Sequence, residues 1–153
     1  MEKKLTSYDE MNVNTADQGK LILMAYEGTI NFIKLAKERL SVNDFAGKSI
    51  NISNAVAIIN ELRSRIDIEK GGETAKNLDK LYIFISMHLT TANLKKDVYK
   101  MDEAISILEN LYNGWVKIIE IENKKKAQDR QGINLDNSNA AIMSSESFVH
   151  VSV

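Results

Sequence analysis

The residue types that most often carry chemistry are scarce in this chain of 153 residues. It contains no cysteine and only two histidines, His88 and His150, which leaves little material for a metal site or a catalytic triad. Di-iron bundles need a glutamate three residues before each histidine ligand, but Ile85 and Ser147 occupy those positions. The residues therefore argue against metal and triad chemistry, and we expect no metal or other cofactor.

His88 allows one functional interpretation that the residues leave open. A lone histidine in the middle of a helix, within a bundle of four, is typical of histidine phosphotransfer domains. Those domains usually carry His-x-x-Lys-Gly, whereas Thr91 and Ala92 stand at the Lys and Gly positions here. The lysine charge expected beside a phosphate is therefore missing. The other interpretation is an ordinary helical histidine that is partly exposed to solvent.

Composition limits the remaining classes of function. Lysine and arginine together number 20, against 21 acidic residues, so the chain lacks the basic footprint of a protein that binds nucleic acid. No apolar run approaches the roughly 18 residues of a membrane span, and the N-terminus lacks the apolar core of a signal peptide. We therefore expect a single-domain cytoplasmic protein that does not insert into a membrane.

The complete absence of proline and the many Leu, Ile, Ala, Lys and Glu residues favour helix through most of the chain. Gly71 and Gly72 are expected to stop the second helix, because glycine readily adopts the left-handed backbone of a helix end. Four amphipathic segments joined by short turns predict an all-α protein, an antiparallel four-helix bundle. The predicted helices run from Thr15 to about Leu40, from the cap at Asp44 to about Lys70, from near Glu73 to between Asn93 and Asp97, and from between Asp97 and Asp102 to Lys126.

The sequence on either side of the bundle, residues 15–126, has a different composition. Residues 1–14 are polar with scattered apolar side chains, and we predict that they form an extended N-terminal arm. Residues 127–153 are rich in Asn and Ser, and we predict a flexible, disordered C-terminal tail. Within it, the β-branched alternation of residues 148–153 indicates either a short extended segment that seeks a groove or a frayed terminus.

The third predicted helix carries more apolar surface than one packing face requires. Its main row recurs at spacings of three and four and is typical of a core-facing helix. A second apolar set lies off the main rows of helices two and three. Such a surplus can seat an amphipathic partner helix, although a helix flanked on two sides also needs a wide apolar row. The main row includes Leu78, Leu81, Tyr82, Ile85 and Leu89, and the surplus set comprises Ile50, Ile58, Ile83, Phe84, Met87 and Leu94.

Several short motifs occur in a fixed order between about residues 8 and 122. They are Tyr8 with Val13, Thr15-Ala16, Leu21, Met24-x-Tyr26-x-Gly28, Gly71-Gly72-Glu73-x-Ala75-x-Asn77-Leu78-x-x-Leu81-Tyr82, Leu89-x-x-Ala92-Asn93-x-x-x-Asp97, and Trp115. Taken together, this ordered set resembles the flagellin export chaperones of the FliS type. The sequence departs from that pattern at Phe84 and His88, where the family commonly has Tyr and Arg.

The resemblance implies a chaperone that binds the C-terminal helical segment of flagellin and prevents premature polymerisation. It also implies that the protein catalyses no reaction and is not an enzyme. It further implies that the complex is presented to the flagellar type III export apparatus, whose gate components are additional expected partners. We expect a monomer or a weak homodimer. A helical adaptor for another amphipathic partner remains an alternative.

The resemblance also directs attention to particular residues. In this family the N-terminal arm is thought to cover part of the binding surface while flagellin is absent. The residues of the arm predicted to do so are Tyr8, Met11 and Val13. The residues predicted to line the flagellin groove are Ile50, Ile58, Ile83, Met87, Asn93 and Leu94.

Overall fold

The computed structural model describes residues 15–131, which form four α-helices joined by short turns. Helix α1 spans Thr15–Ser41, α2 spans Phe45–Ser64, α3 spans Ile68–Lys95 and α4 spans Val98–Gln131. Each connection contains only two or three residues, so each helix runs antiparallel to the next. The predicted all-α bundle is confirmed. The predicted N-terminal arm and residues 132–153 lie outside the described part of the chain.

The four helices pack in a ring, in which each contacts its neighbours in sequence and α4 closes against α1. Helices α1 and α3 therefore occupy opposite corners of the bundle. Side-chain contacts fix the register of each neighbouring pair along the bundle axis. These contacts join Gly28 to Ile58, Lys48 to Asn93, His88 to Glu103, and Glu27 to Tyr112.

The core contains the row that the sequence predicts for the third helix. Leu78, Tyr82, Ile85 and Leu89 are at most 5% exposed, while Leu81 is half-buried at the edge. Each of the other helices contributes a similar row, so the apolar side chains fill the centre of the bundle. The principal buried side chains of those helices are Ile22, Tyr26, Ile33, Ile52, Ile59, Met101, Leu108 and Trp115.

Three polar groups meet in the middle of this apolar core. The hydroxyl groups of Tyr26 and Tyr82 share a hydrogen bond of 2.7 Å, and the Trp115 indole Nε1 donates to the Tyr26 hydroxyl at 3.0 Å. Burial raises the pKa of Tyr26 from its usual 10.0 to about 12, and burial also raises the pKa of Tyr82. This network links α1, α3 and α4, and it satisfies polar groups that would otherwise destabilise the core.

The turn between α2 and α3 is placed earlier than the sequence predicts. Helix α2 ends at Ser64, six residues before the predicted end at Lys70, and Gly71 and Gly72 lie inside α3. The Asp67 side chain accepts a hydrogen bond of 3.1 Å from the Lys70 backbone amide, so Asp67 caps a new helix start. The predicted glycine stop is therefore wrong, because a carboxylate cap precedes it.

Gly72 nevertheless has a structural role, because it breaks the regular backbone of α3. Its φ of 57° and ψ of −136° are far from helical values, and glycine tolerates such a conformation better than any other residue. A side chain added there would meet nothing within 4 Å, so any cost must come from the backbone. The break separates the capped first turn of α3 from the long helix that follows it.

We predict that Gly72→Ala destabilises the protein by about 1–2 kcal/mol through this backbone strain. Urea unfolding followed by circular dichroism measures the change. The matched control is Gly114→Ala in α4, where a new side chain also meets open space. That substitution should stabilise the helix by about 0.5–1 kcal/mol. A Gly72→Ala variant as stable as the wild type would contradict the strain.

Helix α4 is longer than the sequence predicts. It continues to Gln131, past the predicted end at Lys126. Residues 127–131 contain no glycine or proline, and the next glycine is Gly132. Nothing in the local sequence therefore stops the helix at the lysines. Residues 127–131, the first five of the predicted tail, are thus helical.

Candidate partner-binding surface

The outer side of α3 carries an apolar row that does not enter the core. Ile83, Met87 and Leu94 recur at spacings of four and seven residues, which places them along one side of the helix. Met87 is 65% exposed and Leu94 is 80% exposed, whereas Ile83 is half-buried. With Ile50 of α2, 61% exposed, these residues form what we call the α2–α3 surface. Along α3 it extends for about 16 Å, or three turns.

Asn93 lies where α2 and α3 are held together. Its backbone carbonyl accepts a hydrogen bond of 2.7 Å from the Lys48 ammonium group, and its Oδ1 accepts one of 3.0 Å from the Ser49 hydroxyl. Ile50 and Leu94 immediately follow the bonded residues of each helix. The predicted groove residue Asn93 thus fixes the positions of two exposed apolar neighbours through contacts within the bundle.

Lys48 makes the contact between α2 and α3 specific, because its buried ammonium group has to be paired. Its residue is only 3% exposed, and burial, followed by repulsion from Lys96, lowers its pKa. A buried ammonium group requires partners, and the α3 carbonyl supplies one near the negative end of a helix dipole. The Lys48 contact therefore fixes the register of α2 against the C-terminal end of α3.

Ile58 does not lie with the other predicted groove residues. Its Cδ1 is 3.5 Å from the position that a Cβ would occupy on Gly28 of α1. Ile58 is half-buried there, on the side of α2 that faces α1. The structure therefore places Ile83, Met87 and Leu94 along the outer side of α3 and joins that helix to α2, which carries Ile50, through the Asn93 contacts. Ile58 lies on the side of α2 that faces α1.

Phe84 and His88 form a separate contact at the edge between α3 and α4. Their rings stack with centroids 4.9 Å apart, and His88 Nε2 lies 3.0 Å from Glu103 Oε2. The His88 side chain is 11% exposed. A phosphoryl group arriving at His88 would meet the Glu103 carboxylate instead of a lysine, so this geometry does not favour phosphotransfer.

Charged side chains border the α2–α3 surface. Arg63 Nε donates to Asp79 Oδ1 at 2.6 Å near one end. At the other end, the Lys96 ammonium group lies 4.0 Å from the centroid of the Phe45 ring. A partly apolar centre with a polar rim is the usual arrangement of a surface that binds another protein.

A second exposed apolar row runs along α1. Leu21, Met24 and Leu35 are 59%, 64% and 44% exposed, respectively. This row is not among the predicted site residues, because the apolar residues of the first helix read as one set along the sequence. A separate spacing of three, four and seven residues through Leu21, Met24, Gly28 and Leu35 was the signal that could have found it.

A shallow polar depression lies between α1 and α4. There the Tyr112 hydroxyl donates to Glu27 Oε1 at 2.9 Å, and this bond to a carboxylate raises the pKa of Tyr112.

Within residues 15–131 we find no group of three His, Cys, Asp or Glu side chains placed to hold a metal ion. None of the four helices in that part of the chain has the length and apolar character needed to cross a membrane.

The residues of the predicted N-terminal arm are not part of this geometry. Tyr8, Met11 and Val13, which were predicted to cover the groove, lie outside the described residues, as does His150. Their predicted roles therefore stay predictions. What the described helices supply is a rigid bundle with two exposed apolar rows on different sides.

These features define a helical bundle suited to binding a partner on its outer surface. Comparison with known proteins identifies the family. The sequence profile of the family described as flagellar protein FliS matches residues 1–122. The chain therefore belongs to the FliS family of flagellar secretion chaperones, as the ordered motifs of the sequence predict.

Individual relatives agree with this assignment. The flagellar secretion chaperone FliS of Bacillus subtilis is 30% identical over 132 residues, which cover 86% of this chain and 95% of the relative. That of Salmonella typhimurium is 34% identical over 110 residues, covering 71% and 82%. That of Vibrio cholerae is 31% identical over 122 residues, covering 77% and 90%.

Proposed function

We propose that this protein is a cytoplasmic export chaperone that binds the C-terminal helical segment of flagellin on the α2–α3 surface. Its membership of the flagellar secretion chaperone family supports this class of function. The observation that carries the proposal is the apolar row of Ile83, Met87 and Leu94, which lies outside the core and leaves Met87 and Leu94 largely exposed. Apolar side chains that are exposed outside the core commonly mark a surface that binds a partner.

The dimensions of the row suit an amphipathic helix. Three turns of α3, with Ile50 alongside, offer apolar contacts to a partner whose own apolar residues recur every three or four positions. A client segment that is unfolded before binding loses conformational entropy when it forms a helix. Burial of apolar surface against α3 and α2 offsets that cost, at roughly 25 cal/mol per Å².

In this proposal the chaperone acts only by binding the flagellin segment on the α2–α3 surface. The bound segment has its apolar face covered, so that face is not available for polymerisation. No bond is made or broken, and we propose no catalytic activity. The loaded chaperone, as a monomer or a weak homodimer, then presents flagellin to the gate components of the export apparatus. In the empty protein Tyr8, Met11 and Val13 cover part of the same surface.

A peptide with the sequence of the flagellin C-terminal segment tests the proposal. Isothermal titration calorimetry with the purified full chain should give a 1:1 complex in the micromolar range or tighter. Binding should have a negative heat-capacity change, because apolar surface is buried, and circular dichroism should show a gain of helix. A scrambled peptide of the same composition is the control. Equal binding of the two peptides, or no complex at micromolar concentrations, would overturn the proposal.

A further inference from the structure

The apolar row of α1 is not explained by the proposed flagellin site. Leu21, Met24 and Leu35 are all more than two-fifths exposed. The row lies at the opposite corner of the bundle from α3, because Tyr26 and Tyr82 meet across the core between the two helices. An exposed row on the helix opposite α3 needs its own explanation.

The middle of this row has a notch at Gly28. Gly28 has no side chain between Met24 and Leu35, and Ile58 of α2 lies beside the gap, 3.5 Å from the position of the missing Cβ. An extended chain can approach a helix closely at such a point. The row and its notch, which we call the α1 stripe, consist of Leu21, Met24, Gly28, Leu35 and Ile58.

One part of this chain has a sequence that suits the stripe. Residues 148–153, Phe-Val-His-Val-Ser-Val, contain no charged Asp, Glu, Lys or Arg side chain. In an extended segment Val149, Val151 and Val153 point to the same side at intervals of about 6.7 Å. Their span of about 13 Å is close to the roughly 10 Å between Leu21 and Gly28 along α1. The residues lie beyond the region that matches the family, which ends at residue 122.

The position at which α4 ends favours the α1 stripe over the other apolar surface. Gly19 of α1 lies directly against Ile119 of α4, so Gln131 is about 18 Å further along the bundle axis. The distance along the bundle axis from Gln131 back to Leu21–Gly28 is therefore roughly 20–30 Å. The 16 residues 132–147 span at most about 55 Å when fully extended.

The α2–α3 surface is farther from Gln131 than the Leu21–Gly28 part of the stripe. The contact between His88 and Glu103 places Met87 about 24 Å from the level of Ile119, and hence about 42 Å from Gln131. Leu94 is about 10 Å more distant, close to the limit of the linking chain. A linker near full extension lowers the effective concentration of the segment it carries. The α1 stripe is thus the apolar surface that residues 148–153 reach most readily.

We propose that residues 148–153 bind back onto the α1 stripe of the same molecule as an extended segment. The segment covers Leu21 and Met24 and places a valine side chain in the notch at Gly28. It occupies an exposed row that the proposed client does not use, and it leaves Ile83, Met87 and Leu94 of the α2–α3 surface open.

Disulfide trapping in the full chain tests this inference, and the natural absence of cysteine makes the result clear. The test variant combines Met24→Cys with Val151→Cys, and the control combines Met87→Cys with Val151→Cys. Met24 and Met87 are 64% and 65% exposed, so the two introduced thiols are matched in access. The intramolecular disulfide should form at least about tenfold faster in the test variant, because the bound segment has a higher effective concentration there.

The products distinguish the possible occupants of the stripe. The reaction should be independent of protein concentration, as shown by the intact mass of the linked monomer. Equal rates in the two variants, a faster reaction at position 87, or a linked dimer as the main product would overturn the inference. None of these results bears on flagellin binding, which the peptide titration measures separately.

A second measurement uses the methionines without adding cysteine. In protein labelled at the methionine methyl groups, Val151→Asp should shift the NMR signal of Met24 and leave that of Met87 in place. An unchanged Met24 signal would also overturn the proposal.

Discussion

Met87→Asp should weaken binding of the flagellin C-terminal segment by at least tenfold, which corresponds to about 1.4 kcal/mol. Met87 lies in the middle of the α3 row and is 65% exposed in the free protein. In the proposed complex it contributes a buried methionine side chain, worth about 1.5–3 kcal/mol. An aspartate at that position would also have to lose water without gaining a partner. Calorimetric titration of the variant with the peptide measures the loss.

The matched control is Met24→Asp, which makes the same change at an equally exposed methionine on α1. It should leave the affinity for the flagellin peptide within about twofold, because Met24 lies at the opposite corner of the bundle. Both variants should retain the helical content of the wild type, since neither side chain supports the core. Equal losses of affinity at the two positions would contradict the placement of the client on α3.

The division of α3 into two faces was predictable from its sequence. Rows spaced by three and four residues repeat with the turn of the helix, so Leu78, Tyr82 and Ile85 must share a face. Their burial confirms that part of the prediction. The same geometry places Met87 and Leu94 on the other side, and both are exposed. The spacing of apolar residues was sufficient to assign these two faces, because it depends only on the geometry of α3 itself.

The position of Ile58 was less predictable, for a physical reason. Spacing along α2 shows that Ile58 and Ile50 lie off the core-facing row, but it does not show which neighbouring helix lies at each edge. That depends on the handedness of the ring of helices, which is decided by packing among all four. Ile58 therefore lies against Gly28 of α1, away from the α3 row.

The end of α2 shows a different limit. Gly71-Gly72 is a strong signal for a helix stop, and Asp67 four residues earlier is an equally ordinary signal for a helix start. The local sequence does not show which of these two signals decides where the helix ends. In the folded chain Gly71 is buried, so the first turn of α3 is held against the bundle, and the helix passes through the glycines with a break at Gly72.

Tyr26→Phe should lower the free energy of unfolding by about 2–4 kcal/mol, although it removes a single oxygen atom. Tyr26 and Tyr82 are 56 residues apart and Trp115 is 89 residues from Tyr26, so their meeting inside the core was not predictable from local spacing. Loss of the Tyr26 hydroxyl leaves the buried Tyr82 hydroxyl without this bond and removes a hydrogen bond from Trp115. Urea unfolding at neutral pH measures the cost.

Tyr112→Phe is the matched control for the loss of a tyrosine hydroxyl. The Tyr112 hydroxyl donates to Glu27 at the surface, where water can replace it. The urea midpoint of this variant should remain close to that of the wild type. If the two phenylalanine variants were equally stable, the buried network would not contribute to stability as we expect.

Alkaline unfolding gives an independent readout of the same network. Burial raises the folded-state pKa of Tyr26 from 10.0 to about 12, so the native state holds the proton more tightly than the unfolded chain does. The stabilisation is fully present below pH 10 and is lost as the pH rises to about 12, by up to about 1.4 kcal/mol per pH unit for each such group. Tyr26→Phe should reduce the steepness of this loss, because the variant has one fewer buried phenol to ionise, whereas a purely steric effect of the substitution would leave the pH dependence unchanged.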